Sequence, residues 1–245
     1  MQFVIRLKEF LRDSRLQLEA DLGTDRKRRF FSPGYYSQYA VTLPLMERYA
    51  HGCLIDVGCG SMPFRQFIDR QLIKYDSLEF FPTDIAVTFV GDIQNMHMIA
   101  DNTYDTAICL EVLEHVPQPF RAIDEICRIL KPNGTFVVSV PNLQRLHMEP
   151  YDYFRYTRHG LRHMLENGGF RIIVLEKRGG LFSFIGNQVA TLVLSLFWRV
   201  PVMNGIVWFI NSWVVTRWSY WLDAILDPSG VYAIGYTAVA SKIGS

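Results

Sequence analysis

Residues 54–65, LIDVGCGSMPFR, constrain the fold more than any other stretch. Leu54, Ile55 and Val57 around Asp56 read as the end of a buried parallel strand, and Gly58-Cys59-Gly60 makes a sharp exit turn. Glycine lacks a Cβ, so such a turn can take positive φ and bring bare backbone against a bulky, partly charged small molecule. Pro63 suits the first turn of a following helix, where its missing N–H would be unpaired in any case. Strand, glycine turn and helix start are the parts of a nucleotide-type site.

A dinucleotide dehydrogenase would place a third glycine where Pro63 stands, which weakens that reading. DVGCG instead resembles the first motif of class I S-adenosylmethionine-dependent methyltransferases, in a GCGxxP variant with Met62 where a glycine often stands. Later motifs of that family follow in order through Asn142. The resemblance implies an α/β, Rossmann-like seven-stranded sheet with its last strand antiparallel. It also implies S-adenosylmethionine as cofactor, held by Asp56, Gly58, Cys59 and Gly60. Family members carry an acid at the end of the second strand that accepts hydrogen bonds from the ribose hydroxyls. Glu79 lies about 20 residues beyond the glycine turn, as that role asks, and Asp84 is the rival. Asp92 matches an acid that reaches the adenine amino group, and Ile93 the apolar residue packed on the ring.

EVLEHV, residues 111–116, is the second strong match. Ligands of open α/β sheets sit outside the carboxyl ends of strands, so Leu110 and Glu111 are expected to border the cofactor. His115 is the first candidate for a general base on a hydroxyl acceptor and His147 the second, because an imidazole titrates near working pH. A structural histidine at a helix start is the other reading of His115. Tyr104-Asp105 resembles a family pair in which the acid is more often structural. After the fifth strand, Asn142 and the segment PYDYFRYT, residues 150–157, follow the strand that usually faces the acceptor. The segment resembles one in methyltransferases of surface-polysaccharide and lipid-linked sugar pathways. Tyr151, Tyr153 and Arg155 either stack on and pair with an acceptor or pack a stabilising loop cap.

Hydrophobic periodicity and turn residues place strands at 74–79, 87–90, 106–110, 135–140, 170–176 and 231–241, and helices at 39–49, 120–130 and 158–166. Thr157 is a candidate N-cap, and Lys131-Pro132-Asn133-Gly134 a turn. Two parts lie outside this frame. Residues 1–34 form a basic N-terminal segment, with Val4, Leu7, Leu11 and Leu18 at helical spacing among Arg6, Lys8, Arg12 and Arg15, followed by the cluster Arg26–Arg29. The methyltransferase domain then occupies 35–245, interrupted between its sixth and seventh strands by an apolar helical insertion at 179–230.

The apolar runs 181–198 and 200–215 each contain Asn or Gln, and Arg199 with Pro201 separates them, so neither reads as a membrane span. All five tryptophans lie in or beside this stretch, with Arg178, Arg199 and Arg217 spaced to reach lipid headgroups. A helical hairpin on one leaflet, through residues 181–226, competes with a homodimer interface or extra core.

A net charge of +1 gives no global attraction for nucleic acid, and no such partner is expected. The four cysteines have no zinc spacing, and no metal is implied. With no signal peptide in MQFVIRLKEFLRD, the expected place is the cytoplasm, peripheral on the inner face of the membrane. The function expected is methyl transfer to a membrane-associated acceptor: a lipid-linked saccharide, a polysaccharide precursor or a lipid. A soluble small-molecule acceptor, or a scaffold that keeps the fold without the chemistry, is the alternative.

Overall fold

A computed structural model describes residues 6, 9–14, 17, 18, 21, 26–81 and 86–244. The chain divides into two compact units, one of Met1–Ala40 with Gly179–Ile234, the other of Val41–Arg178 with Gly235–Ser245. Residues 1–34 and the insertion therefore fall in the same unit.

The larger unit carries a seven-stranded sheet. Its strands are β1 (Gly52–Val57), β2 (Leu72–Glu79), β3 (Phe89–Val90), β4 (Tyr104–Leu110), β5 (Leu130–Pro141), β6 (Phe170–Arg178) and β7 (Gly235–Lys242), in the order β3-β2-β1-β4-β5-β7-β6. Pairing is parallel from β3 through β5, and β7 runs antiparallel to both its neighbours, as the resemblance implies. Strands β1, β4 and β5 are almost continuously buried because helices cover a parallel sheet on both faces. The helices are α1 (Pro33–Tyr49), whose second half belongs to this unit, α2 (Arg65–Ile68), α3 (Pro119–Ile129) and α4 (Arg158–Asn167). Strand order reverses at β1, between β2 and β4, and such a reversal opens a crevice at the carboxyl ends.

Several elements differ from their expected bounds for identifiable reasons. The helix after Pro63 is only the single turn α2, which passes through a 3-10 turn at Asp69–Gln71 straight into β2. The turn Lys131–Gly134 is absorbed into β5 as a bulge: Tyr104 pairs with Leu130 but Thr106 already pairs with Thr135, and Asn133 takes φ +62°. Thr157 does cap α4, its Oγ1 accepting from Gly160 N at 3.1 Å.

Asp105 joins the start of β4 to β1 and β5. Its Oδ2 accepts from Cys53 N at 2.9 Å, and its Oδ1 lies 2.7 Å from Lys131 Nζ. Gly52, at φ +66°, makes room for it, since a Cβ there would lie 2.5 Å from Oδ2. Asp105 is thus structural, the commoner of its two roles in the family.

The smaller unit is helical, with α5 (Leu181–Phe197) followed by α6 (Met203–Ile210), a π-helical segment Asn211–Thr216 and α7 (Arg217–Leu226). No helix among the described residues is long and apolar enough to cross a membrane. Of the N-terminal segment, Val4, Leu7, Lys8 and Arg15 lie outside the described residues. Leu18 is fully buried in a cluster with Phe31, Leu194 and Val207, against which Trp198 and Trp208 pack. Two buried carboxylates cap α5: Asp227 accepts from Leu181 N, and Asp223 from Phe182 N and Ser183 N, at 2.7–3.1 Å.

Although partial burial opposes the charge, Lys131 and the Cys53 amide hold Asp105 below its ordinary carboxyl value of 3.8. A depressed folded-state value stabilises above the unfolded value, and that contribution is lost as pH falls through the folded one. Asp105→Ala should cost ~1–2 kcal/mol at neutral pH. The difference in urea midpoint between wild type and variant should shrink once the pH drops below 3.8. A difference unchanged in acid would refute the ion-pair explanation.

Candidate active site

At the end of β1 the backbone doubles back. Gly58 N and Cys59 N both donate to Leu78 O, at 2.8 and 3.2 Å, and Gly58 and Gly60 take φ of +72° and +50°. A Cβ on Gly58 would fall 2.4 Å from Val112 Cγ2, so the bare glycine lets the loop after β1 touch the loop after β4. A Cβ on Gly60 would meet nothing within 4 Å, leaving this face of the turn open. Glu79 closes the corner: its Oε2 accepts from Gly60 N at 2.8 Å and its Oε1 from Phe80 N at 2.9 Å. A carboxylate oxygen has two lone pairs, so both retain acceptor capacity for a hydroxyl. Asp84 lies outside the described residues.

Two residues of the first motif have other work. Asp56 is buried, and its carboxylate accepts from Tyr75 Oη. Burial pushes it up to about 7, against the pull of that hydrogen bond. Its side chain braces β1 against β2, directly beneath the glycine turn. Cys59 is also buried, and that burial, with Asp56 and Glu79 nearby, pushes its thiol up to about 12, so only its backbone serves the turn. Beyond β3, Asp92 is held by Gln94, whose backbone N and Nε2 lie 2.8 and 3.0 Å from Oδ1, and Ile93 is buried beside it.

The end of β4 carries the most charge. Glu111 takes φ +57°, a left-handed conformation unusual for a glutamate at a strand end. Its Oε1 accepts from Ser139 Oγ at 2.9 Å and from Arg178 Nη2 at 2.6 Å, and the same Nη2 reaches Val140 O at 2.8 Å. Arg178 is only 3% exposed, which overturns its expected reach to lipid headgroups. Gly235 makes the pairing feasible: a Cβ there would lie 2.2 Å from Nη2. Sequence patterning gave neither Arg178 nor Ser139 a place in this site. The available signal was an arginine at a strand end facing a glycine on the neighbouring strand.

The loop after β5 folds back onto the loop after β4. Tyr153 N and Phe154 N donate to Glu114 O at 2.8 and 3.2 Å, while Tyr156 Oη donates to Leu113 O at 2.8 Å. This brings the two histidines together, ring centroids 4.8 Å apart, over the fully buried Glu114. His115 Nε2 and His147 Nε2 stand 3.7 and 3.8 Å from Glu114 Oε1, within ion-pair range but beyond a hydrogen bond. Burial pushes Glu114 up to about 7, and His147 opposes it. The same carboxylate raises His147, whereas burial lowers His115.

Arg155 does not face outward. It donates to Asp152 through both Nη atoms at 2.6 and 2.8 Å, and to the carbonyls of Gln144, Arg145 and Phe154. It braces its own loop, as in the packing alternative for this segment. Asp152 in turn accepts from His147 N at 2.8 Å. Tyr151 and Tyr153 are each nearly half exposed, and Tyr151 lies 6.0 Å, ring to ring, from Phe81 beyond β2. Asn142 follows β5 directly, at the same carboxyl edge. Leu110, the last residue of β4, is half-buried there.

A family model described as a methyltransferase domain matches residues 8–175. The chain belongs to this methyltransferase family. Among curated relatives, ubiquinone biosynthesis O-methyltransferases of Xanthomonas campestris pv. campestris and Xylella fastidiosa are 28% and 30% identical over 102 residues, 36% of this chain. The match spans 43% and 42% of those relatives' own lengths. Solved structures agree on the fold. The [4+2]-cyclase SpnF superposes with a TM-score of 0.56 at 19% identity, covering 84% of this chain and 81% of that one. A putative sarcosine dimethylglycine methyltransferase from Galdieria sulphuraria gives 0.55 at 14% identity, covering 85% of each.

The class I methyltransferase fold implies S-adenosylmethionine as methyl donor, and the residues of this site fit it. Gly60 offers open space beside a carboxylate with acceptor capacity to spare, and Asp92 with buried Ile93 follows at the next strand end. Gly58→Ala and Glu79→Ala should each weaken S-adenosylmethionine binding at least tenfold, about 1.4 kcal/mol, in calorimetric titration. Affinity unchanged in both variants would place the cofactor elsewhere.

Proposed function

We propose that this methyltransferase transfers the methyl group of S-adenosylmethionine to an oxygen of an acceptor presented at a membrane surface. When bound, the cofactor supplies an activated sulfonium methyl, so the protein's task is to align two reactants and exclude water. The Gly58–Gly60 turn and Glu79 hold the donor. The cluster of Glu114, His115 and His147 faces the other side of the same strand ends and takes charge of the acceptor's hydroxyl proton. The relatives named as O-methyltransferases support oxygen as the acceptor atom.

The observation that carries the membrane reading is the inverted polarity of the helical unit. Ser183, Asn187, Ser195, Asn211, Ser212, Thr216, Ser219 and Asp223 are buried, while Phe209, Trp213, Trp218 and Trp221 are each more than half exposed. Water selects the opposite arrangement, and contiguous exposed apolar residues mark an interaction surface. Tryptophan suits the lipid boundary, where its ring is buried and its N–H stays wet. Trp198 and Trp208 instead pack inward, with Trp198 Nε1 donating to Asp21 at 2.9 Å, so the expected belt of five reduces to three. Arg217 stacks on Phe30 and Trp213, its guanidinium carbon 4.2 and 4.1 Å from the ring centroids.

One structural neighbour is a cyclase, so the fold does not dictate methyl transfer, and a direct assay is needed. Incubation with radiolabelled S-adenosylmethionine and a total lipid extract should put label in the organic phase. Label confined to the aqueous phase would sink the lipid-borne acceptor. Replacing Trp213, Trp218 and Trp221 together by serine should reduce sedimentation with anionic lipid vesicles at least tenfold while leaving cofactor affinity unchanged. Undiminished sedimentation would point to a second copy of the chain as the cover for this face.

A further inference from the structure

We propose that Glu114, His115 and His147 form a binding site for a divalent transition-metal ion, a group the family resemblance does not imply. Both carboxylate oxygens of Glu114 are buried without a hydrogen-bond partner. A buried anion left in that state is costly unless a cation sits against it. The donor atoms of the three residues all lie within 4.8 Å of one another.

The imidazole tautomers complete the site. His115 Nδ1 is 2.6 Å from Tyr151 O, and His147 Nδ1 is 3.2 Å from Arg145 O, nearer than Arg155 Nη2 at 3.5 Å. A carbonyl only accepts, so in the neutral ring each Nδ1 carries the proton and each Nε2 presents a lone pair that a metal ion can take in place of a proton. Two such nitrogens and a carboxylate oxygen then face one another with no hydrogen between them. Backbone carbonyls that fix ligand histidines in this way are the usual outer support of a metal site. Tetrahedral ligands at bonds of about 2.0–2.1 Å stand about 3.3 Å apart. The 3.7 and 3.8 Å from Glu114 Oε1 to the two imidazoles exceed that by a few tenths of an ångström, and all three donors, within 4.8 Å of one another, would draw together around the ion.

Glu111 is not part of the site, because Arg178 and Ser139 already hold its Oε1. Two imidazoles and one carboxylate favour zinc or another first-row transition metal over magnesium or calcium. Three protein ligands leave at least one position for an exchangeable oxygen, and a hydroxyl bound there would lose its proton more readily.

Metal binding can be read without any methyl transfer, so this inference stands or falls apart from the acceptor assay. Full-length protein without a histidine tag, stripped with a chelator, should bind one equivalent of Zn²⁺ calorimetrically. With Co²⁺ it should develop visible absorption of the kind given by low-coordinate nitrogen–oxygen sites. His147→Ala, at a partly exposed position, and the near-isosteric Glu114→Gln should each weaken Zn²⁺ binding at least a hundredfold, with circular dichroism confirming the fold. Absence of binding by wild type, or equal affinity in wild type and a folded variant, would overturn the proposal.

Discussion

Every feature of the site depends on one close approach, that of Gly58 to Val112. The loops after β1 and β4 can touch only because residue 58 has no side chain, and the same residue needs a positive φ to turn the chain toward Leu78. A methyl group at this point would push apart the two loops that carry Gly60 and Glu111. The crevice at the strand reversal would then lose the shape on which the other contacts are built.

Two further pins act on this frame from the opposite side. Arg178, at the end of β6, reaches Glu111 and Val140 beneath the bare Gly235 of β7. It holds the end of β4 in a conformation that a glutamate would not adopt unaided. The amides of Tyr153 and Phe154 then clasp Glu114 O, and Arg155 with Asp152 keeps their loop closed. Arg178 and the Tyr153 and Phe154 amides each join residues far apart in the chain, tying the ends of β4, β5 and β6 together. Methyl transfer rewards such rigidity, because its rate depends on alignment more than on chemistry supplied by side chains.

The helical unit distributes its polar and apolar residues differently. Beside the apolar cluster of Leu18, Phe31, Leu194 and Val207, its helices bury serine, asparagine and threonine, while Phe209, Trp213, Trp218 and Trp221 stay exposed. Small polar residues let helices pack closely, and the exposed aromatic face is the feature on which the membrane proposal rests. Asp223 and Asp227 neutralise the start of α5 from within, where no water would otherwise satisfy its first amides.

Local signals in the sequence determined the glycine turn and the cap at Thr157, because each depends on a residue and its near neighbours, and the family resemblance carried by the glycine turn implied the fold class. Glu79, 19 residues beyond Gly60, was likewise legible, since strand length dictates that spacing. The strand bounds were less so: the turn chemistry at Lys131–Gly134 serves equally well as a bulge once β4 lies alongside. Only the tertiary structure decided what the ionisable residues do. It buried Asp56 under Tyr75, turned Arg178 inward and spent Arg155 on its own loop. It also gathered Glu114 with two histidines, one of them 33 residues further on. The physical reason is that a charge is indifferent to its neighbours in sequence. Its role is set by the partner that folding brings within a few ångströms and by how much water is left.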